Sequence, residues 1–231
     1  MAVSLFIARR YLFSKKSTNA INVISAISVV GVAVATMALV IVLSVFNGFH
    51  DLVASLFTAF DPQIEVVPAK GKDAPTDDPV LTQIKQLPEV DVATECVEDN
   101  ALVFYGDKQA MVTIKGVDEN FTQLTRINDL LYGEGEFALR AANLQYGVLG
   151  IRLAQQLGTG ARWNGFMRVF APNREGQFDI SNPSSGFVVD SLLSPGVVFS
   201  VKQAKYDQRY ILTSVSFARN LFGMQGMLTA L

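Results

Sequence analysis

Val23-Ile24-Ser25-Ala26-Ile27-Ser28-Val29-Val30-Gly31-Val32-Ala33-Val34-Ala35-Thr36-Met37-Ala38-Leu39-Val40-Ile41-Val42-Leu43-Ser44-Val45-Phe46 sits inside a longer stretch, Ser17 to Phe49, that contains no Asp, Glu, Lys, Arg or His. A hydrocarbon core of roughly 30 Å needs about 20 apolar residues at helical rise, so the segment is long enough to span a bilayer with some tilt. A secretory signal has an apolar region of about 7–15 residues followed by a small-x-small cleavage site. Here the apolar run is longer and is followed by Phe46-Asn47-Gly48-Phe49. The reading is an uncleaved transmembrane helix over residues 21–49.

The flanks set its orientation. Arg9, Arg10, Lys15 and Lys16 precede the helix with no acid among them, and loops rich in Lys and Arg stay on the cytoplasmic side. The remainder is then expected to be periplasmic, with the protein in the inner membrane. Ser28, Gly31, Ala35 and Ala38 share one helical face, and small side chains at that spacing permit close packing of a second membrane helix.

Charge divides the same way. All 21 acids lie at or after Asp51, with 15 of the 19 basic residues, so the outer part carries 15 − 21 = −6 and the N-terminal arm +4. An acidic outer part argues against nucleic acid as a partner. With one cysteine, Cys96, no internal disulfide can form, and with one histidine, His50, no histidine metal cluster can form. Cys96 reads as a small buried residue of a strand, and His50 as an interfacial residue at the outer end of the helix. No cofactor is expected.

On the N-terminal side, Ser4 to Lys16 mixes Leu5, Phe6, Ala8 and Leu12 with basic residues, the pattern of a cytoplasmic interfacial helix over residues 1–20. On the other side, Leu52, Val53, Leu56, Phe57 and Phe60 keep a helical period. The spacing predicts a stalk over residues 50–61 that ends before Asp61-Pro62.

The rest, residues 62–231, reads as one α+β domain. Gln63–Val67 alternates like a strand and Lys70 to Asp78 is a polar turn. Asp78-Pro79 supplies a cap and first residue for a helix Val80–Leu87. Strands are expected at Val90–Val97, Leu102–Tyr105 and Met111–Val117, with Gly106-Asp107 as a hairpin turn. Glu119 to Tyr132 is partly helical and ends in the turn Gly133 to Glu136. Gly147 to Gly160 reads as strand, helix and glycine stop. Further strands are Gly165–Ala171, Phe187–Asp190, Val197–Lys202 and Arg209–Leu212, and Thr213 caps a last helix Ser214–Phe222. Pro172 to Gly186 is a long polar loop, and loops of that length often carry function. No Gly-Lys-Ser/Thr tripeptide occurs, so there is no Walker A phosphate loop. The acids are scattered or lie in turns, as at Asp77-Asp78 and Glu134 with Glu136, which leaves a bitopic enzyme weakly supported.

Phe6-Ile7-Ala8-Arg9-Arg10-Tyr11-Leu12, Asn19-Ala20-Ile21-Asn22-Val23-Ile24-Ser25 and Ser44-Val45-Phe46-Asn47-Gly48-Phe49 together resemble the N-terminus of lipoprotein-releasing ABC permeases of the LolC/LolE type. Gly150-Ile151-Arg152-Leu153-Ala154 with Leu157-Gly158, and Gly196-Val197-Val198-Phe199 with Tyr206-Asp207, Phe217-Ala218 and Leu221-Phe222, are similar to the MacB-like periplasmic core domain. The resemblance implies a mixed α/β subdomain plus a mainly β subdomain. It also implies three further C-terminal membrane helices, which makes this chain look like an N-terminal fragment.

Its implied partners are a cytoplasmic ABC ATPase subunit, a second permease copy or homologue, a lipoprotein cargo and a periplasmic lipoprotein carrier. Val40, Leu43, Phe46, Asn47 and Phe49 align with the part of such permeases that lines the acyl-chain cavity. Asn173, Arg174, Phe178, Ile180 and Pro183 lie near where some relatives carry a carrier-docking hook. MacB-like efflux, and an FtsX-like regulator of cell-wall hydrolases, stay open as alternatives.

Overall fold

No proline interrupts the largely apolar stretch from Asn19 to Thr58, and it forms one 40-residue helix, α1 (Asn19–Thr58), about 60 Å long at helical rise. The computed structural model describes residues 19–58, 60–62, 64–174 and 186–231, together with residues 3, 6, 7, 9 and 10 of the N-terminal arm, which are helical. The rest of the expected interfacial helix lies outside the described residues. The span Val23–Val53 has a mean hydropathy of 2.8, is long and apolar enough to cross a membrane, and buries none of its residues within the chain. By its contacts the chain divides into two units, Met1–Ala54 and Ser55–Leu231, so the second takes in the last turn of α1.

The second unit is built from β1 (Ala74–Pro75), α2 (Pro79–Lys85), β2 (Cys96–Tyr105), β3 (Lys108–Val117), α3 (Phe121–Leu124), a 3-10 turn (Ile127–Leu130), β4 (Leu131–Gly133), β5 (Arg140–Ala141), β6 (Leu144–Gln145), β7 (Val148–Gly150), α4 (Ile151–Leu157), β8 (Met167–Pro172), β9 (Phe187–Leu192), β10 (Val197–Phe199), α5 (Ala204–Asp207), β11 (Tyr210–Ser214), α6 (Val215–Phe222) and β12 (Met227–Leu228). Eight strands form one mixed sheet in the order β4-β10-β7-β11-β3-β2-β8-β9. β2, β3, β8 and β9 pair antiparallel, whereas β11 runs parallel to β3 and β10 parallel to β7.

Alternation along the strands builds two cores, one on each face. Val97, Ala101 and Val103 of β2, Val112 and Ile114 of β3 and Ile211 of β11 point to the face covered by Leu153 and Leu157 of α4 and by Phe217, Leu221 and Phe222 of α6. Their neighbours Cys96, Val117 and Leu212 point to the opposite face, where Phe60, Phe121, Phe199 and Tyr206 gather. α6 comes very close to β3: a Cβ on Gly116 would meet Ala218 Cβ at 2.4 Å and Ser214 O at 3.1 Å.

Local chemistry explains both the matches and the departures from the sequence reading. Asp78 caps α2 by accepting the Val80 N–H at 2.7 Å, with Pro79 as its first residue. Gly106 takes φ +58° at the first central position of the β2–β3 hairpin, where a glycine is favoured. Gly158, φ +70°, closes α4.

Gln63–Val67 does not form the expected strand over its described residues 64–67. Between two prolines, which carry no N–H, only Val66 pairs, exchanging bonds of 2.8 and 3.0 Å with Leu231. The strand expected at Val90–Val97 starts only at Cys96, because Asp118 draws the preceding residues away. Its carboxylate accepts from the Thr94 hydroxyl and, at 3.1 Å, from the Glu95 N–H. From Cys96 a single strand then runs through to Tyr105, merging two expected ones. The cap of α6 is Ser214, whose Oγ accepts the Phe217 N–H at 3.2 Å. Thr213 stays in β11 and donates its hydroxyl to Tyr146 O at 2.9 Å. β1 and β12 were not expected; they pair with each other antiparallel.

Substituting Gly116→Ala should force α6 off β3 and cost about 1–3 kcal/mol, read as a lower denaturant midpoint with an unchanged m-value.

Candidate functional site

Two residues beyond the end of α1 the chain enters the sheet domain through a socket of aromatic rings. Phe60 is fully buried. Its ring stacks on Phe199 at 5.2 Å between centroids, lies 4.6 Å from Tyr206, and meets Tyr210 and Phe121 edge-on at 5.9 and 6.4 Å. Ring pairs at these separations add to the energy of area burial. Above the Phe60 ring, at 5.4 Å, lies Nζ of the buried Lys115, whose carboxylate partner is Glu98 at 3.8 Å. A buried ammonium needs such compensation.

The polar rim of the socket holds the next residue. Tyr206 Oη donates to Asp61 Oδ2 at 2.5 Å, and Tyr210 Oη donates to Glu98 Oε1 at 2.7 Å. Burial, reinforced by Asp61, pushes the Tyr206 phenol well above its ordinary value. Burial and the Glu98 charge do the same to Tyr210. Both phenols therefore stay protonated donors across the physiological range. The arrangement fixes the chain through two phenol-to-carboxylate hydrogen bonds.

Two ion-pair clusters brace the same sheet. Glu95, just before β2, accepts Lys85 of α2 at 2.7 Å and Arg219 of α6 at 2.6 Å. Burial pushes its carboxyl up, but hydrogen bonds and charges from these two cations outweigh burial and hold it below its ordinary value. At the far end of β8, Arg174 reaches Asp99 at 2.6 Å and Asp73 at 2.8 Å. Burial again opposes but does not overcome the Arg174 bond, so Asp99 also titrates low.

Cys96 is buried, and burial pushes its thiol up to about 12, which leaves no thiolate for nucleophilic chemistry. Among the described residues no group of His, Cys, Asp and Glu could hold a metal ion. A cleft of about 700 Å³ lies where β3 and β11 end, with Asp118, Asn120, Phe137, Arg140 and Ser216 in its walls. In its walls Arg140 pairs with Glu119 at 2.9 Å, and the Asp118 carboxylate is taken up by the Thr94 hydroxyl and the Glu95 and Asn120 N–H groups.

Of the residues singled out in the sequence, Val40, Leu43, Phe46, Asn47 and Phe49 all lie exposed on α1. At about 100° per residue, Val40, Leu43 and Asn47 share one face while Phe46 and Phe49 point elsewhere. Ser28, Gly31, Ala35 and Ala38 lie on one face of the same helix, where the Ser28 hydroxyl donates back to Ile24 O at 3.0 Å. Arg174 anchors the base of the polar loop beside Asn173; Phe178, Ile180 and Pro183 lie outside the described residues. Sequence reasoning placed Phe60 on the stalk and missed the socket. The available signal was a helical run ending in a large aromatic just before Asp-Pro.

The chain belongs to the MacB-like periplasmic core domain family, which it matches over residues 25–169, more than half its length. It is thus an ABC-transporter permease-type domain following an apolar helix. Among solved structures it is similar to the extracellular domain of YknZ, a noncanonical ABC-type transporter from Gram-positive bacteria, at 10% identity and a TM-score of 0.44, covering 70% of this chain and 73% of that one. No curated protein matches its sequence.

Phe60→Ala should cost about 3–5 kcal/mol of domain stability, read by thermal unfolding, with Tyr206→Phe costing less because only a hydrogen bond is lost. For Glu95 the folded value is depressed, so its contribution is present above the ordinary value of 4.5 and is lost as pH falls through the lower folded value. Glu95→Gln should therefore flatten the fall in melting temperature on acidification below that point, compared with the unsubstituted protein.

Proposed function

We propose that this chain is a permease subunit of an inner-membrane ABC transporter that extracts lipoproteins from the membrane and passes them to a periplasmic carrier. The observation that carries the reading is the likeness of the N-terminal arm, the first span and its exit to lipoprotein-releasing permeases. Family membership supports the broader transporter class. In this reading the basic arm stays cytoplasmic and the sheet domain is periplasmic. A separate cytoplasmic ATPase subunit moves the membrane helices of a permease pair, this chain and a second copy or homologue.

The Phe60 socket gives that motion a route. Phe60 and Asp61 are fixed within the sheet domain by ring packing and a hydrogen bond, so in this reading they are where such motion would enter that domain. Val40, Leu43 and Asn47 would face the acyl chains, whose burial is worth about 0.8 kcal/mol per CH₂. Phe46 and Phe49 would face lipid or a neighbouring helix, the small-residue face would pack on another span, and Asn173 and Arg174 would steady the loop that meets the carrier. The description of the matched family favours one second reading, MacB-like efflux and mechanotransmission.

Purification of the full-length protein from membranes under mild detergent should bring down a lipoprotein together with an ABC ATPase. Recovery of an outer-membrane channel without lipoprotein would favour efflux. Recovery of cell-wall hydrolases, with lipoprotein sorting unchanged on depletion, would point to an FtsX-like regulator.

A further inference from the structure

One end of the eight-stranded sheet carries apolar side chains on its outer face that nothing among the described residues covers. The register sets Met111, Leu102, Phe170 and Val189 side by side across β3, β2, β8 and β9. Met111 and Val189 are 59% and 51% exposed. Phe104 packs edge-on against Phe170 at 5.0 Å, and Phe187 is 45% exposed. An apolar row of this extent on a soluble face marks a contact surface.

The row runs out at β9, the last strand of the sheet. The Asn173 N–H donates to Gly186 O at 2.9 Å. Hydrogen-bonded pairs alternate in an antiparallel ladder, so Val188, Asp190 and Leu192 turn their main chain to β8 while Phe187, Val189 and Ser191 turn theirs outward. The next outward residue, Leu193, already holds a strand: its N–H donates to Gln145 O at 2.9 Å and its carbonyl accepts the Gly147 N–H at 3.0 Å. Upstream, the Ser191 N–H is taken by Asp190 Oδ1 at 2.7 Å. Among the described residues, the N–H groups of Phe187 and Val189, and the carbonyls of these two and Ser191, meet no partner.

Main-chain groups and charge together select the occupant. Lipid or a helix laid on the apolar row would leave the outward N–H and C=O groups unmet, whereas an extended chain satisfies them and continues the row. On the apolar face Arg168 stands opposite Ser191, its guanidinium 5.9 Å from the Phe170 ring and without a carboxylate partner among the described residues. On the other face Asp190 is exposed. The geometry points to Phe187–Ser191 as a docking edge for an extended segment of another polypeptide, added as a further strand. That segment carries apolar side chains opposite Phe187 and Val189, an acidic one opposite Ser191 within reach of Arg168, and a basic one opposite Asp190. The inference is independent of the transported cargo.

The test uses the full-length protein in detergent micelles and a capped synthetic peptide, Glu-Lys-Val-Thr-Val. The expected result is saturable binding with slowed hydrogen exchange at the Val189 amide, and binding about tenfold weaker for the charge-swapped peptide Lys-Glu-Val-Thr-Val. Arg168→Glu should abolish most of that preference, because each peptide then makes one favourable and one unfavourable charge contact; Arg168→Glu with Asp190→Lys should reverse it. Val189→Pro removes an outward N–H without touching the β8 ladder and should weaken binding about tenfold. Absence of saturable binding, or binding indifferent to these substitutions, overturns the proposal. So does concentration-dependent dimerisation without peptide that Val189→Pro abolishes, because the occupant is then a second copy of this chain.

Discussion

The Phe60 side chain, enclosed by Phe121, Phe199, Tyr206 and Tyr210 and capped by the Lys115 ammonium, is the constraint on which the sheet domain's second core depends. It brings together residues from β3, α3, β10, α5 and β11, elements far apart in sequence. Removing the ring would leave more than a cavity. Lys115 would lose the aromatic face that, with Glu98, compensates a charge held away from water. The neighbouring bond between Tyr206 and Asp61 extends the grip by one residue, so the backbone just past the apolar helix is held by packing and by hydrogen bonding at once.

The opposite face obeys a different logic. There α6 lies against β3 because Gly116 offers no side chain to Ala218, and the Glu95 carboxylate ties Lys85 and Arg219 to the start of β2. One sheet thus carries a helix layer on one side and, on the other, a core centred on the entry point of the chain. The two faces therefore hold the sheet by different means, helix packing and ion pairs on one and an aromatic cluster on the other.

What could be read in the sequence follows from how local each cause is. The 40-residue helix, the Asp78-Pro79 start of α2, the Gly106-Asp107 hairpin and the Gly158 stop of α4 are fixed within a few residues, and each stands where its chemistry put it. The late start of β2 was not legible, because Asp118, 23 residues downstream of Glu95, competes for the backbone that would have made the ladder. The socket was hidden for the same reason: Tyr206 lies 145 residues from Asp61, with Tyr210 farther still, and only the fold makes them neighbours. Cys96 was legible as buried, since a lone thiol in an apparent strand has few other places to go. The short strands β1 and β12 carry no periodic signal at two residues each.

The pairing of Val66 with Leu231 sets two stretches far apart in sequence side by side, joined by two backbone bonds rather than by a ladder. The Val66 side is secured by the buried Phe60 ring close by, and the other side by the buried Leu228 and Ala230 and by the Thr229 hydroxyl, which accepts the Glu98 N–H and donates to Cys96 O. Fraying would therefore begin at the Val66–Leu231 pair itself and leave both anchorages, aromatic and C-terminal, in place.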